Sequence, residues 1–540
     1  MTNIEQSSGV RTSDGVRASD STRWWGLAVL CLSLVLITLD NTVLNVALPT
    51  LVRDLHASTS QLQWIVDGYQ LVFAGLLFTA GSLADRYGRK GTLSLGLVIF
   101  GVGTLASAVA GSADVLIATR AFMGIGGALI MPSTLSILGT LFPDPSERTR
   151  AIAIWAAMAA VGIAIGPVLG GLLLAHFGWG SIFTVNVPIV IAALVGGRFL
   201  LPTSRDPNPG RMDPLGSLLS IVALGSLVFA VIEGPDRGWT STTVLGVAAL
   251  GALAVAAFVF CESRSANPML DLALFRDRRF TMGAVSLTLL YFAALGTYFL
   301  FTQHLQFVLG YSALRAGVYS VPFALVLVGV SLQSPKAVRR FGVGRVTSVG
   351  LLIAAVGVAV RLPANAHTGY WLLLLSLVII GVGVGSTIAP STASIMSSLP
   401  PHQAGVGSAI NDAARQVGAA AGVAVLGSVW SSSYRASMAA PAVRAAIPQP
   451  ALAASHSSIG SALAVAHSLP AGVGADLAGF AKEAFVHASN VANVAAVGVA
   501  LVASYLAWRY LPRPAPVPAR EETLVGCDEA AFLLAEPEVA

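Results

Sequence analysis

The sequence predicts an all-α membrane protein with fourteen transmembrane helices. Composition, apolar runs and the placement of basic residues each predict it. Of 540 residues, 55% are hydrophobic and 11% are charged, and the mean hydropathy is +0.77. Soluble domains carry about 25% charged residues, so this chain has too few polar groups to cover a water-facing surface. The net charge of +5 does not indicate a nucleic-acid partner, because the basic residues fall in short segments between apolar runs.

Fourteen apolar runs are long enough to cross a bilayer, which takes about 20 residues of helix. They are 24–47, 60–82, 91–110, 114–137, 149–174, 181–201, 215–233, 242–261, 280–304, 313–334, 346–362, 370–394, 405–430 and 490–511. The first run is not a cleaved signal peptide, because it is too long and carries an aspartate where a small-residue cleavage site would be expected.

The basic residues predict the orientation of these spans. Twenty-two of the 31 lysines and arginines lie in segments that face inward when the N-terminus is inside. Such an excess marks the cytoplasmic side of a membrane. Adding or removing one span would reverse every later loop and destroy the bias, so we expect both termini in the cytoplasm. The three cysteines, Cys31, Cys261 and Cys527, are far apart and indicate neither a disulfide framework nor a metal site.

An internal repeat divides the chain into two halves. The loop after the second span reads GSLADRYGRK (81–90), and the loop after the tenth reads SPKAVRRFGVGR (334–345). Both contain arginine, an aromatic residue, glycine and a following base, although two basic turns can also be similar by chance. The repeat makes spans 1–6 and 9–14 equivalent halves. The predicted segments are an N-terminal tail (1–23), a six-helix bundle (24–201), a linker with two inserted helices (202–279), a second six-helix bundle (280–511) containing a long exterior loop (431–489), and a C-terminal tail (512–540).

The loop of residues 81–90 places a single acid among bases at the ends of two spans. Its candidate residues are Gly81, Asp85, Arg86, Gly88, Arg89 and Lys90. The glycines permit a tight turn and a close helix approach. We expect the charges to form an ion-pair latch that exists in one conformation and breaks in another. The alternative is an ordinary basic loop on the cytoplasmic side.

The fifth span contains GIAIGPVLGG (162–171). Its glycines recur at the spacing that makes a flat helix face for tight packing, and its proline removes a backbone hydrogen bond and favours a kink. The candidate residues are Gly162, Gly166, Pro167, Gly170 and Gly171. Ordinary close packing is the alternative interpretation.

Two carboxyl groups lie inside the first two predicted spans. A charge in the bilayer core costs at least about 2.5 kcal/mol, which makes each one a functional candidate. Asp40 lies roughly 20 Å from the inner end of its span, and Asp67 lies roughly 10 Å from the outer end of its span. Carboxyl groups at this depth are expected to exchange protons near neutral pH. A structural hydrogen-bonding role is the alternative.

A polar strip follows the first of these acids. Asn41, Thr42 and Asn45 come after Asp40 on an otherwise apolar helix. We expect this strip to keep Asp40 hydrated, so that its carboxylate attracts cationic molecules in preference to neutral ones. Aromatic rings are candidate contacts for a lipophilic cation, although most membrane aromatics simply pack. They are Tyr69, Phe73, Tyr291, Tyr298 and Phe301.

These motifs resemble those of the major facilitator superfamily. The loop GSLADRYGRK resembles its signature loop, and GIAIGPVLGG resembles the antiporter signature that separates its exporters from its importers. The strings LDNTVLNVALP (39–49) and QWIVDGYQLVFAG (63–75) resemble the fourteen-helix drug:proton antiporter branch, the group of QacA-, LfrA- and EmrB-type multidrug efflux pumps. The resemblance covers nearly the whole chain and implies the major facilitator fold of two six-helix bundles plus two inserted helices.

The resemblance also implies roles for charged residues in two later spans. Arg120, in ATRAFMGIGGA (118–128), matches a family motif that is implicated in proton coupling. Asp412 occupies the place where related exporters carry a glutamate, and Arg415, one turn on, is its expected partner. A self-contained structural pair is the alternative for these two residues.

The implied function is proton-coupled export of lipophilic, often cationic compounds across a bacterial inner membrane. A proton gradient would drive it, with no bound cofactor, and we expect a monomer whose partners are drugs, protons and the bilayer. Whether an accessory periplasmic protein takes part stays open. A dedicated exporter of an endogenous lipid, peptide or metabolite is the alternative. A membrane enzyme would need a nucleophile–base pair or a metal cluster, and we identify neither.

Overall fold

The computed structural model describes residues 20–205, 213–265, 268, 271–399, 404–440, 443, 447–456 and 458–511. Within these ranges the regular elements are helices, with no strand. The predicted tails, 1–23 and 512–540, lie outside the described residues except for the first turn of the first helix.

The first half contains seven helical segments. They are α1 (Asp20–Leu55), α2 (Thr59–Tyr87), α3 (Arg89–Ala108), α4 (Ala113–Leu141), α5 (Pro145–His176), α6 (Ser181–Thr184) and α7 (Asn186–Leu200). Serine caps begin several helices. The Ser58 side chain accepts a hydrogen bond from the Gln61 backbone at the start of α2, and Ser112 accepts one from Val115 at the start of α4. The predicted sixth span corresponds to the two consecutive helices α6 and α7, which meet at Val185.

The inserted pair and the second half complete the chain. The inserted helices are α8 (Pro214–Arg237) and α9 (Thr242–Arg264). The second half contains α10 (Arg278–Gln303), which continues as a π-helical turn (His304–Val308), α11 (Ala313–Phe341), α12 (Val343–Ala359), α13 (Tyr370–Ser397), α14 (Ala404–Met438), α15 (Gln449–Ser455), α16 (Ile459–Ser468) and α17 (Ala471–Tyr510).

Each of the fourteen predicted spans overlaps one of these helices. Ten stretches of the described residues are long and apolar enough to cross a membrane, and α2 becomes the eleventh if its bend at residues 77–79 lies within one span. The other three predicted spans fall on α5, α12 and α14. Of these, α12 has only 17 residues, and α5 and α14 include residues whose side chains are not described. The helices are compatible with fourteen crossings.

The internal repeat is visible in the backbone and in the packing. Gly88 joins α2 to α3 with φ of 107°, and Gly342 joins α11 to α12 with φ of 84°. Side chains rarely tolerate such positive φ angles, which glycine adopts freely. In the first half α1 packs on α5, and α4 packs on both α2 and α3; in the second half α10 packs on α14, and α13 packs on both α11 and α12. The two halves therefore repeat one arrangement.

The halves meet through α2 against α14 and α5 against α11. The amide of Gln63 on α2 donates hydrogen bonds to the carbonyls of Val423 and Ala424 on α14, at 3.1 and 3.0 Å. The amide of Gln306 donates to the Val46 carbonyl of α1 at 2.8 Å. All of these residues lie toward the predicted outer end of their helices. That end of the interface is closed in this conformation.

The inserted helix α8 contacts both halves. It packs on α2 and on α14, and the Trp64 indole on α2 donates to the Glu233 carboxylate at 3.2 Å. On the other side, Arg435 of α14 forms an ion pair with Asp236. The insertion therefore bridges the two halves near their predicted outer end.

The segment 431–489, expected to be a long exterior loop, is largely helical. Helix α14 continues to Met438, the short helices α15 and α16 follow, and α17 begins at Ala471. Gly460 of α16 packs closely against Val52 of α1, and Ile459 is 1% exposed. This segment therefore covers the outer end of α1. The alanine- and serine-rich sequence of this segment already predicts amphipathic helical stretches, which need no long apolar run outside the bilayer.

Candidate functional site

A buried ion pair joins α1 to α4. The Arg120 guanidinium donates from Nη1 to Asp40 Oδ2, and the two side chains are 0% and 2% exposed. The Asn186 amide, at the start of α7, donates to Asp40 Oδ1 at 3.0 Å. Both carboxylate oxygens are thereby satisfied, as a buried charge requires. Asp40 is enclosed by partners on two other helices and does not lie on an open, hydrated surface in this conformation.

The polar strip after Asp40 bonds to helix backbone. The Asn41 amide donates to the Ile37 carbonyl at 2.9 Å, and the Asn45 amide donates to the Asn41 carbonyl at 2.7 Å. Thr42 donates to the Thr38 carbonyl at 2.9 Å. The expectation that this strip hydrates Asp40 is therefore not met here. Intrahelical backbone acceptors compete successfully for these short polar side chains.

Arg120 also connects α4 to α2. Its Nε donates to the Ile65 carbonyl at 3.2 Å, and its guanidinium lies over the Tyr69 ring at 4.5 Å from the ring centre. Its Nη2 is buried and has no hydrogen-bond partner among the described residues. The arginine therefore ties the buried acid of α1 to the stretch of α2 that carries Asp67.

Asp67 differs from Asp40 in having no partner for its carboxyl group among the described residues. It is 0% exposed, and neither of its oxygens has a hydrogen-bond partner among the described residues. Gln63 and Gln70 lie four residues before and three after it, on the same helix face. Gln63 bonds to α14, whereas the side-chain oxygen of Gln70 is also buried without a partner. This face of α2 belongs to the interface between the halves.

A second ion pair lies in α14. The Arg415 guanidinium is 3.7 Å from the Asp412 carboxylate, as the helical spacing predicts. Arg415 also lies over the Tyr291 ring of α10, at 5.0 Å. Asp412 is 8% exposed, and its neighbour Asn411 accepts a hydrogen bond from Thr392 of α13 at 2.8 Å.

The predicted latch residues form contacts within the first half. Arg89 donates to the Asp85 carboxylate at 3.0 and 3.1 Å and to the Thr140 hydroxyl of α4 at 3.2 Å. Lys90 donates to the carbonyls of Arg198 and Leu201, both at 2.8 Å. The ends of α2 and α3 are thereby tied to α4 and α7. Arg86 instead lies beside the Tyr87 ring, at 5.9 Å, and Gly81 approaches Pro132.

The glycine face of α5 packs against two helices. A side-chain carbon at Gly162 or Gly166 would collide with Thr38 or Thr42 of α1, respectively, and one at Gly170 would lie 3.0 Å from Val43. The remaining two positions face the second half. A side-chain carbon at Gly171 would lie 2.5 Å from Leu314 Cα of α11, and the Pro167 carbonyl fills the space beside Gly317. Only glycine permits this approach at the closed outer end.

Most of the candidate aromatic rings contact the chain's own groups. Tyr69, Phe301 and Tyr291 each lie beside a guanidinium, those of Arg120, Arg361 and Arg415. Tyr298 stacks on Phe301 at 6.1 Å, and Phe73 is 2% exposed. These ring faces are therefore occupied in this conformation.

A cavity of about 240 Å³ lies at the predicted outer end, between the two halves. Arg53, Leu174, Gln306 and Tyr311 are among the residues that line it. No sequence pattern predicts this cavity, because its walls come from α1, α5, the π-helical turn and the start of α11, which are far apart along the chain.

Sequence reasoning missed Asn186, Gln63 and Gln70. The two glutamines lie at helical spacing around Asp67, so a face-by-face examination of α2 would have found them. Asn186 carries no such signal. It is an uncharged residue near the start of an apolar run, and its contact with Asp40 spans 146 residues of chain.

The helical halves, their repeat and the buried charges define a multi-pass membrane transporter. The chain belongs to the major facilitator superfamily, to which residues 30–423 match, and to the drug-efflux branch of that family. It is 40% identical over 479 residues to the multidrug efflux pump LfrA of Mycolicibacterium smegmatis, covering 89% of this chain and 94% of LfrA. It is 35% identical to the multidrug resistance protein Stp of Mycobacterium tuberculosis (strain H37Rv), covering 89% and 91% of the two chains.

Solved structures agree on the fold. A bacterial homologue of the human lysosomal transporter Spinster, solved in an inward-facing and unoccupied conformation, superposes with a TM-score of 0.63 at 18% identity. The match covers 92% of this chain and all of that one. At this identity the likeness concerns the arrangement of helices alone.

Proposed function

We propose that this protein exports lipophilic, often cationic compounds in exchange for protons, by alternating access across a bacterial inner membrane. Both termini would face the cytoplasm, and the proton gradient would be the only source of energy. The protein would act as a monomer. The names of LfrA and Stp, a multidrug efflux pump and a multidrug resistance protein, support this substrate class.

The observation that carries the proposal is the isolation of Asp67. A fully buried carboxylate without a partner is costly, because neither water nor a donor stabilises its charge. Such a group is retained where it must gain and lose a proton. Its place on the α2 face that meets α14 supports coupling, because relative movement of the halves would expose it to one side of the membrane and then to the other.

Arg120 provides the link between protonation of Asp67 and the arrangement of the helices around it. It bonds to Asp40 and to the backbone of α2 two residues before Asp67. A charge gained or lost at Asp67 changes the balance of forces on this guanidinium, which holds α1, α2 and α4 together. We infer that protonation of Asp67 from the outside and its release to the inside, in competition with a cationic substrate, drive the exchange.

The closed outer end supports an inward-facing or occluded state of this cycle. For substrate to be released outward, α5 would have to separate from α11 at its glycines. The helix α2 would also have to separate from α14 at Gln63. The cavity near Arg53 and Gln306 lies on that route. Substrate would then leave between α5 and α11, past Gly171 and Gly317, which hold the halves together through close packing.

Ethidium accumulation in cells tests the proposal. Cells that express the protein should accumulate less ethidium than cells that lack it, and a proton uncoupler should abolish the difference. Accumulation that is equal with and without the protein would favour the dedicated export of an endogenous lipid, peptide or metabolite. A difference that survives the uncoupler would contradict proton coupling.

A further inference from the structure

A buried arginine lies in the second half, away from the site described above. Arg361, in the turn after α12 and at the outer end of the predicted span 346–362, is 3% exposed. Its guanidinium lies 5.4 Å from the centre of the Phe301 ring. It forms no ion pair with any aspartate or glutamate among the described residues.

This charge is unusual because buried charges in proteins are normally paired. Removing an arginine from water without a counter-ion costs several kcal/mol, and the guanidinium stays protonated at any physiological pH. The described Asp40–Arg120 and Asp412–Arg415 pairs obey the rule. Arg361 therefore needs an anion that the described part of the chain does not supply.

The guanidinium lines a small cavity together with other polar side chains. The cavity lies between the π-helical turn of α10, the turn after α12, and α17, and its polar lining is His304, Arg361, Ser489, Asn490 and Asn493. His304 is 2% exposed, and its Nε2 has no partner among the described residues. Asn493 is 1% exposed, and its side-chain oxygen is likewise unpartnered.

These side chains can direct hydrogen-bond donors toward one small ligand in the cavity. An imidazole directs an N–H to either side according to its tautomer, and the amide of an asparagine can be turned so that its NH₂ group faces inward. Asn490 and Ser489 already donate to backbone carbonyls, those of Ala364 at 3.0 Å and Phe485 at 2.8 Å. The free donors are therefore those of Arg361, His304 and Asn493.

The size of the cavity limits which ligand can bind there. About 10 Å³ is open to the centre of a water molecule, which is room for one water molecule or one ion of similar size. A carboxylate, a phosphate or a drug does not fit. The other residues that line the cavity, Ala364, Leu373 and Val486, have apolar side chains. An apolar lining favours a weakly hydrated anion over a strongly hydrated one.

We propose that Arg361, His304 and Asn493 bind a single monatomic anion, chloride in the cell, as a structural counter-ion. The anion joins α10, the turn after α12 and α17, so that it fixes the outer end of the second half. The inference does not depend on the transported substrate or on the direction of transport.

The test measures the unfolding temperature of the purified protein in lipid nanodiscs by tryptophan fluorescence. Sodium gluconate is replaced stepwise by sodium chloride at constant ionic strength, and separately by sodium bromide. The wild type should show a Tm that rises and saturates with either halide, because a ligand that binds only the folded state stabilises it. Arg361→Gln should lose this shift. Arg53→Gln, which changes an exposed arginine at the same end, should keep it.

A second variant separates anion binding from general damage. Asn493→Asp places a fixed carboxylate in the cavity. It should remove the halide response and leave the Tm in gluconate at least as high as that of the wild type. If Arg361→Gln does not fold, this variant decides the question. A wild type with equal Tm in chloride and gluconate would show that water fills the cavity, and a full halide shift in Arg361→Gln or Asn493→Asp would also overturn the proposal.

Discussion

At the scale of single residues, Arg120 has the most contacts in the buried polar cluster. It pairs with Asp40 of α1, donates to the Ile65 carbonyl of α2 and covers the ring of Tyr69. Asn186 supports the same carboxylate from α7. Three helices, α1, α2 and α4, thus meet at one guanidinium, and loss of its counter-ion should affect both the stability and the transport of the protein.

The first prediction concerns Asp40→Asn. This change leaves Arg120 buried without a counter-charge, which typically costs about 3–5 kcal/mol. We expect a lower Tm and an equal loss of resistance to cationic and neutral drugs. The sequence alone indicated a selective loss for cations, but the enclosure of Asp40 removes the basis for that selectivity in this conformation. Resistance and efflux at matched expression, together with Tm, provide the measurement.

The control for Asp40→Asn is the double variant Asp40→Asn with Arg120→Gln. Removing both charges should restore part of the Tm without restoring transport, because the two residues act as a pair. A loss confined to cationic drugs, with an unchanged Tm, would instead make Asp40 the charge selector.

The charged members of the site were predictable and their partners were not. Asp40, Asp67 and Arg120 are visible because a charge within an apolar run is costly. Asn186 and the Ile65 carbonyl are invisible, because they reach the site only through the packing of helices distant in sequence. The burial of Arg361 is invisible for the same reason, because Phe301 and α17, which lie around it, are distant in sequence.

At the scale of helices, apolar runs locate the spans but not their ends. Helix α1 continues to Leu55 and α17 begins at Ala471, both well beyond the apolar runs. Stable helix outside the bilayer depends on side-chain caps and tertiary packing, which hydropathy does not measure. The boundary between α6 and α7 was missed although Pro188 lies in the first turn of α7 and has no backbone N–H to donate to Thr184 at the end of α6.

The second prediction concerns the approach of α5 to α11. Gly171→Ala places a carbon 2.5 Å from Leu314 Cα and 2.7 Å from the Ala313 carbonyl, and overpacking of this kind costs about 1–3 kcal/mol. We expect the outer end to open and the export rate to fall. Spin-label distances between the outer ends of α5 and α11 would measure the opening.

Gly178→Ala is the matched control for this prediction. A carbon at Gly178 meets no atom within 4 Å, so this variant should keep the wild-type distances and rate. Unchanged distances in Gly171→Ala would show that the α5 glycines do not close the outer end.

The third prediction concerns the ion pair between α2 and α3. Asp85→Asn breaks the ion pair between α2 and α3, and Arg89→Gln also breaks the contact of Arg89 with Thr140 of α4. Export of every drug should slow, and the order of preference among drugs should stay the same, because the loop lies far from the predicted substrate region. Glu147→Gln, which breaks the neighbouring Arg23–Glu147 pair at 3.0 Å, is the control. Selective loss of one drug class would count against the latch.

At the scale of the whole molecule, the repeat explains the plan of the protein. Equivalent glycines join α2 to α3 and α11 to α12, and equivalent helices make the two most extensive contacts between the halves, α2 against α14 and α5 against α11. The sequence predicted this plan from one shared loop motif. It did not predict that α8 bridges the halves, because the Trp64–Glu233 and Arg435–Asp236 contacts join segments about 170 to 200 residues apart.

The fourth prediction concerns the C-terminal tail. Residues 512–540 lie outside the described part of the chain, and their sequence is rich in proline and charge with no apolar run. A chain that ends after Arg513 should insert into the membrane and export drugs at the wild-type rate. Membrane fractionation and ethidium efflux would check this, and failure to insert would contradict it.

Proton flux in proteoliposomes tests the central claim, that Asp67 carries the exchanged proton. A pH-sensitive dye inside vesicles should report proton movement when ethidium is added to the wild type. Asp67→Asn should abolish this movement while the purified variant keeps the wild-type Tm, since its amide cannot cycle a proton. Asp114→Asn, which changes an exposed acid at the start of α4, should behave like the wild type. Wild-type proton movement in Asp67→Asn would contradict the account.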